Sequence, residues 1–133
     1  MTVMQEFRET MSAIHVPPGW PDEVRPPGAE DWEQTAVAYL LDCCPPDFRE
    51  YAVLRRHPVV LARFAAEFVE GQCAAARTGM RGLRVNLGQE VAPDVVESAA
   101  EAWKHQQAHL ARVRRAVALI EEALRGKVFI RRL

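Results

Sequence analysis

Residues 93–125 read PDVVESAAEAWKHQQAHLARVRRAVALIEEALR. Within this stretch Val96, Ala99, Trp103, Gln106, Leu110, Val113, Val117, Ile120 and Leu124 step by 3 and 4 without a fault. That alternation lays them on one stripe of an α-helix, as in a coiled-coil seam. Pro93 suits a first helical residue, and Asp94 and Glu97 sit where the positive end of the helix dipole favours acids. Gly126 follows the expected end at Arg125.

A seam of this length needs a partner, and the chain upstream supplies one. No proline intervenes between Pro58 and about Gln89. Leu61, Phe64 and Phe68 open an apolar stripe that Met80, Leu83 and Leu87 resume. Gly71, Ala75, Gly79 and Gly82 form a row of small residues between them, and each glycine costs a helix about 1 kcal/mol relative to alanine. We expect a strained but continuous helix over about 58–89, joined by a short connection to a helix over 94–125. So short a connection forces the pair antiparallel. Folding near residue 91 brings residues whose numbers sum to about 183 side by side. Arg81 and Arg84 then approach Glu97 and Glu101, Glu67 and Glu70 approach Arg112, Arg114 and Arg115, and Arg63 approaches Glu121 and Glu122. The same register sets Trp103 against the gap between Gly79 and Gly82.

Further out the pattern weakens. Trp32, Ala36, Tyr39 and Cys43 recur at helical spacing within 29–44, and Pro45-Pro46 ends that helix. Asp47 with Glu50 reads as a capping box for a short helix that His57-Pro58 breaks. Residues 16–28 hold five prolines and cannot be helical; Trp20 and Val24 suggest a connector laid against the body. Met4, Phe7, Met11 and Ile14 suit a short amphipathic helix. The expected fold is therefore an all-α helical bundle dominated by a long antiparallel hairpin (about 58–89 and 94–125), with the shorter 29–44 helix at its base. Residues 1–28 form an N-terminal helix and connector, and 29–133 a single domain. A 29–44 helix covers under half of the hairpin at about 1.5 Å per residue. The far end is thus thin, or covered by another chain.

Composition excludes several classes. With 49% hydrophobic and 26% charged residues the chain is not globally disordered. No run approaches the ~20 apolar residues of a membrane span, and Met1–Ile14 carries Glu6 and Glu9 rather than a secretory pattern. Three cysteines, two of them the adjacent Cys43 and Cys44, make a poor disulfide framework. We expect free thiols in the cytoplasm. Net charge is −1 but polarised: residues 1–51 carry −7, residues 52–103 are neutral, and residues 104–133 carry +6. Docking of the acidic third on the basic end is the simplest account.

Candidate sites follow from these patterns. Glu101, His105 and His109 lie at i, i+4 and i+8 and offer carboxylate and imidazole ligands for a metal, although a solvated polar face explains the row without one and is the simpler reading. Arg112, Arg115, Arg131 and Arg132 offer an anion or nucleic-acid contact, against a pI near 6.4 and no recognition motif. Gly71, Ala75, Gly79, Gly82, Phe129 and Ile130 are the candidate interface. No phosphate loop, Cys-x-x-Cys pair or nucleophile signature is present. The expectation is a non-enzymatic helical interaction or oligomerisation module that forms a homodimer or binds a protein partner, without a cofactor. A small-molecule- or metal-responsive regulator, with a pocket near Trp32 and Trp103, is the alternative; nucleic-acid binding is the weaker one.

Overall fold

The computed structural model describes residues 15–131. Four α-helices follow one another: α1 (Trp32–Asp42), α2 (Ala52–Arg56), α3 (Pro58–Leu87) and α4 (Pro93–Leu124), with a 3-10 turn at Pro46–Glu50 between α1 and α2. The fold is all-helical and dominated by the antiparallel pair α3 and α4. The expected amphipathic helix around Met4–Ile14 lies outside the described residues.

Both long helices begin as the sequence requires. Pro58 and Pro93 occupy the first turn, where a missing N–H costs nothing and φ is already helical. Their 30 and 32 residues reach about 45 and 48 Å. Helix α4 ends at Gly126, whose φ of 101° is the left-handed conformation that glycine adopts cheaply. There Lys127 N–H donates to the Glu122 carbonyl and Gly126 N–H to that of Ala123, a Schellman closure.

Helix α3 is continuous through Gly79–Gly82. Gly79 is a point of close approach in the seam: a Cβ there would stand 2.7 Å from Trp103 Cε2 and closer still to Cζ2. The indole takes the room that the absent side chain leaves. The register holds along the hairpin, with Arg63–Glu121 at 2.9 Å, Glu70–Arg114 at 2.9 Å and Arg84–Glu97 at 3.8 Å.

Three expectations are corrected. The buried face of α3 is Leu61, Ala62, Ala65, Val69, Cys73, Ala76 and Leu83, not the stripe through Phe64 and Phe68. Alanines let α4 come close, whereas the Phe64 and Phe68 rings turn toward Phe48, 6.0 and 6.2 Å away. Second, Asp47 makes no side-chain cap, and Pro46–Glu50 is a 3-10 turn rather than an α-helical start. Third, the spacing of Cys43 with Trp32, Ala36 and Tyr39 points to Cys43 as the buried cysteine of its pair, but Cys44 is buried and Cys43 only half-buried.

The core sits at the base. Ala36, Leu40 and Leu41 of α1 pack with Leu54 of α2, Leu61 and Val69 of α3, and Leu110, Val117 and Ile120 of α4. The connector is stapled on top of it. Val24 is 3% exposed, Trp20 Nε1 donates to the Val24 carbonyl (2.9 Å), and Thr35 Oγ1 accepts the Arg25 N–H (2.9 Å). Gly19, at φ 99°, lies where a Cβ would be 2.7 Å from Arg115 Cγ. Helix α1, at 11 residues or about 17 Å, covers little more than a third of the hairpin. Toward the tip only Leu83 and Val96 remain buried, while Val85, Leu87, Val91 and Val95 are exposed.

Candidate functional site

Two surfaces stand out: a notch beside the connector and the outer face of α3. The notch follows from the way the chain enters α1. The proline-rich connector cannot join a helix, so it crosses α4 near Gly19–Glu23 and leaves clefts on either side of Tyr39 and His109. One cleft of about 480 Å³ is lined by Glu23, Asp42, Cys43, Gln72 and Gln106 as well as Tyr39 and His109. The next, of about 650 Å³, shares Glu23, Tyr39 and His109 and is lined also by Trp20, Asp22, Arg112 and Arg115. Acidic side chains of the connector thus line an open groove together with basic ones of α4.

Tyr39 and the two cysteines beside the groove are held protonated. Burial, then the neighbouring Cys43 thiol and Glu23 carboxyl, push the Tyr39 phenol up to about 12. Burial and the adjacent Cys44 push the Cys43 thiol up to about 11, and burial does the same for Cys44. A thiol raised in this way is a poor nucleophile at neutral pH, because the reactive species is the thiolate.

The metal row is not assembled. Among the described residues no three His, Cys, Asp or Glu side chains come close enough to hold a metal ion. Glu101 receives Lys104 Nζ at 3.1 Å, and His105 and His109 are exposed along α4. His109 instead joins Tyr39 at the groove. Neither Trp32 nor Trp103, beside which a pocket was expected, lines these two clefts: Trp32 packs on Trp20 at 6.4 Å and Trp103 fills the gap at Gly79.

The basic end is largely engaged. Arg114 pairs with Glu70, Lys127 with Glu122, and Arg63 and Arg125 both bind the nearly buried Glu121 (2.9 and 3.0 Å). Arg112 and Arg115 line the groove, Arg131 is exposed, and Arg132 lies outside the described residues. The acidic third does not dock on this end through ion pairs among the described residues; its arginines Arg25 and Arg49 take Asp31 and Asp42 locally.

The candidate interface divides in two. Gly79 belongs to the intramolecular seam, and Phe129 folds back edge-on to Trp20 at 5.9 Å. Gly71, Ala75 and Ile130 are exposed; nothing lies within 4 Å of a Cβ at Gly71, and the Asn86 side chain lies across Gly82. Large apolar residues outside the expected interface are exposed as well: Tyr51, Val53, Val60 and Phe64 at the base, Val85, Leu87, Val91 and Val95 at the tip, and Val128 in the tail. The signal for Val60 and Val85 was present, since both fall on the helical face of Gly71 and Thr78, opposite the buried alanines. Comparison with protein-family models, with curated proteins and with solved structures finds no match.

Proposed function

We propose that this chain is a non-enzymatic association module that acts by binding a second copy of itself. The observation that carries the reading is the group of exposed aliphatic residues at the thin tip of a hairpin that its own short helices do not reach. Exposed apolar patches on an otherwise well-packed domain mark interaction surfaces. The raised thiols and the lack of an assembled catalytic or metal cluster among the described residues give no competing site of greater strength. Light scattering from micromolar to near-millimolar protein tests the reading. The expected result is a mass rising toward twice that of the chain; a monomer throughout refutes it.

A second reading rests on the groove at Tyr39 and His109, which has the size of a small-molecule site. Its mixed acidic and basic walls suit a small polar ligand. Titration of a ligand panel against the fluorescence of Trp20, which lines the groove, tests it, and an unchanged spectrum across the panel argues against it. No helix among the described residues is long and apolar enough to cross a membrane. The free cysteines Cys43, Cys44 and Cys73 favour a reducing compartment such as the cytoplasm as the setting of this function.

A further inference from the structure

The two clefts beside Tyr39 and His109 differ in charge. The one nearer the tip is lined by the carboxylates of Glu23 and Asp42 and the amides of Gln72 and Gln106, with no lysine or arginine lining it among the described residues. The one nearer the base is lined by Arg112 and Arg115 of α4, with Asp22 and Glu23 on the connector. Elsewhere opposite charges that meet are paired, as Arg114 is with Glu70 and Arg63 with Glu121. Here none of Asp22, Glu23, Arg112 and Arg115 has an ion pair among the described residues. Resting on the small-molecule reading of the groove above, we infer that it binds a linear zwitterion of short-peptide length. The ammonium lies at Glu23 in the tip-side cleft, and the carboxylate lies between Arg112 and Arg115.

Two features of the chain prepare the anionic end. Arg112 and Arg115 stand three apart on α4, so they are neighbours of like sign, a mildly unfavourable pair that an anion between them relieves. The connector fixes one of them. Gly19, in its left-handed conformation, lies so close to the Arg115 stem that a Cβ would be 2.7 Å from Cγ and 3.4 Å from Nε. A guanidinium held in this way has less freedom to lose on binding, and its fork matches a carboxylate. Trp20 adds an apolar wall rather than a donor, because its Nε1 already donates to the Val24 carbonyl.

The spacing selects the length. His109 lines both clefts, and from it to Arg115 is about 9 Å along the axis at 1.5 Å per residue. A free amino acid carries both charges on one carbon and cannot reach from one cleft to the other. Each peptide residue adds about 3.3–3.6 Å, so two or three residues span roughly 7–11 Å. Between the charged ends the groove offers what peptide groups use. The Gln72 and Gln106 amides and the Tyr39 phenol, which burial keeps protonated, can each donate and accept. An ω-amino acid of the same span presents the same two charges without peptide groups.

Calorimetric titration of the full chain with tri-alanine, followed in parallel by tryptophan fluorescence, tests this. The expected dissociation constant is about 0.1–1 mM for a ligand of this size. N-acetyl-tri-alanine lacks the ammonium and tri-alanine amide lacks the carboxylate, and each should bind at least roughly tenfold more weakly. Protein variants should remove the two penalties separately. Glu23→Gln should lose most of the discrimination against the acetylated peptide, and Arg112→Gln with Arg115→Gln most of that against the amide. All three positions are exposed, so helix content by circular dichroism should not change. 6-Aminohexanoate separates the two sources: equal binding assigns the groove to ω-amino acids and weaker binding to peptides, both in the same end-to-end placement. Blocked peptides that bind as well as tri-alanine, or variants that keep full discrimination, overturn the placement while leaving the groove reading intact. No response to any of these probes up to about 10 mM overturns the ligand class, and a groove silent to the whole ligand panel overturns the groove reading with it.

Discussion

Gly79→Ala is the substitution on which the packing account stands most exposed. In an open helix the change stabilises by about 1 kcal/mol, because alanine has less backbone freedom to lose. At Gly79 the new methyl group would stand 2.7 Å from Trp103 Cε2, well inside van der Waals distance, and the indole is wedged between two long helices. Overpacking of that kind costs about 1–3 kcal/mol, so the net effect is a loss of about 1 kcal/mol, or roughly 3–5 °C in Tm for a chain of this size. Gly71→Ala, with nothing within 4 Å, should show the bare gain of about 1 kcal/mol. Trp103→Ala alone removes a half-buried indole and costs about 2–3 kcal/mol. In that background Gly79→Ala should change sign and stabilise by about 1 kcal/mol, a coupling of about 2 kcal/mol. Urea denaturation followed by far-ultraviolet circular dichroism, at protein concentrations where the chain is monomeric, measures all four. If Gly79→Ala stabilises the wild-type chain as Gly71→Ala does, the wedge at Trp103 is wrong and the seam register falls with it.

Glu121 has a side chain only 10% exposed, between the guanidinium groups of Arg63 and Arg125. Either arginine alone should be replaceable by alanine for under about 1 kcal/mol, but the double replacement strands a nearly buried carboxylate and should cost about 3 kcal/mol in the same denaturation assay; additive single effects would argue against a shared carboxylate. Tyr39, Cys43 and Cys44 have folded pKa values raised from 10.0 to about 12, from 9.0 to about 11 and from 9.0 to about 11. The folded chain thus keeps protons that the unfolded chain releases, and their contribution is full below pH 9.0 and lost as pH rises toward about 11 to 12. The urea midpoint should fall across that window, and a midpoint unchanged between about pH 8 and about pH 11 would contradict the buried setting of these groups.

The hairpin was legible because its evidence is redundant. The 3–4 stepping from Val96 to Leu124, the prolines at 58 and 93 and the charge pairs all specify one register, and Arg63–Glu121, Glu70–Arg114 and Arg84–Glu97 form within it. What size-weighted reading misjudged was which face of α3 is inward. Phe64 and Phe68 look like core, yet two long helices pack closest through small residues, so Ala62, Ala65 and Ala76 are buried and Phe64 is 46% exposed. The aromatic rings found another home in Phe48, on a turn whose position depends on Pro45 and Pro46 and carries no periodicity. The groove at Tyr39 and His109 was illegible for a related reason. It exists because the connector crosses α4 at Gly19, a long-range placement that no local pattern encodes.

The same arithmetic that made the hairpin readable bears on its use. A seam about 45 Å long is built by repeating a local rule, whereas its cover must come from elements assembled over distance, and α1 supplies only about 17 Å. The core therefore closes at the base, and the tip retains Leu83 and Val96 as its buried pair, with Val85, Leu87, Val91 and Val95 left in water. Polar residues at those four positions would serve an isolated tip better, since burial of each aliphatic side chain is worth about 1.5–3 kcal/mol only where something buries it. Shortening the hairpin would serve it better still. Neither has happened, and the four exposed aliphatic residues of the tip are the surface that the proposed association of two copies would cover.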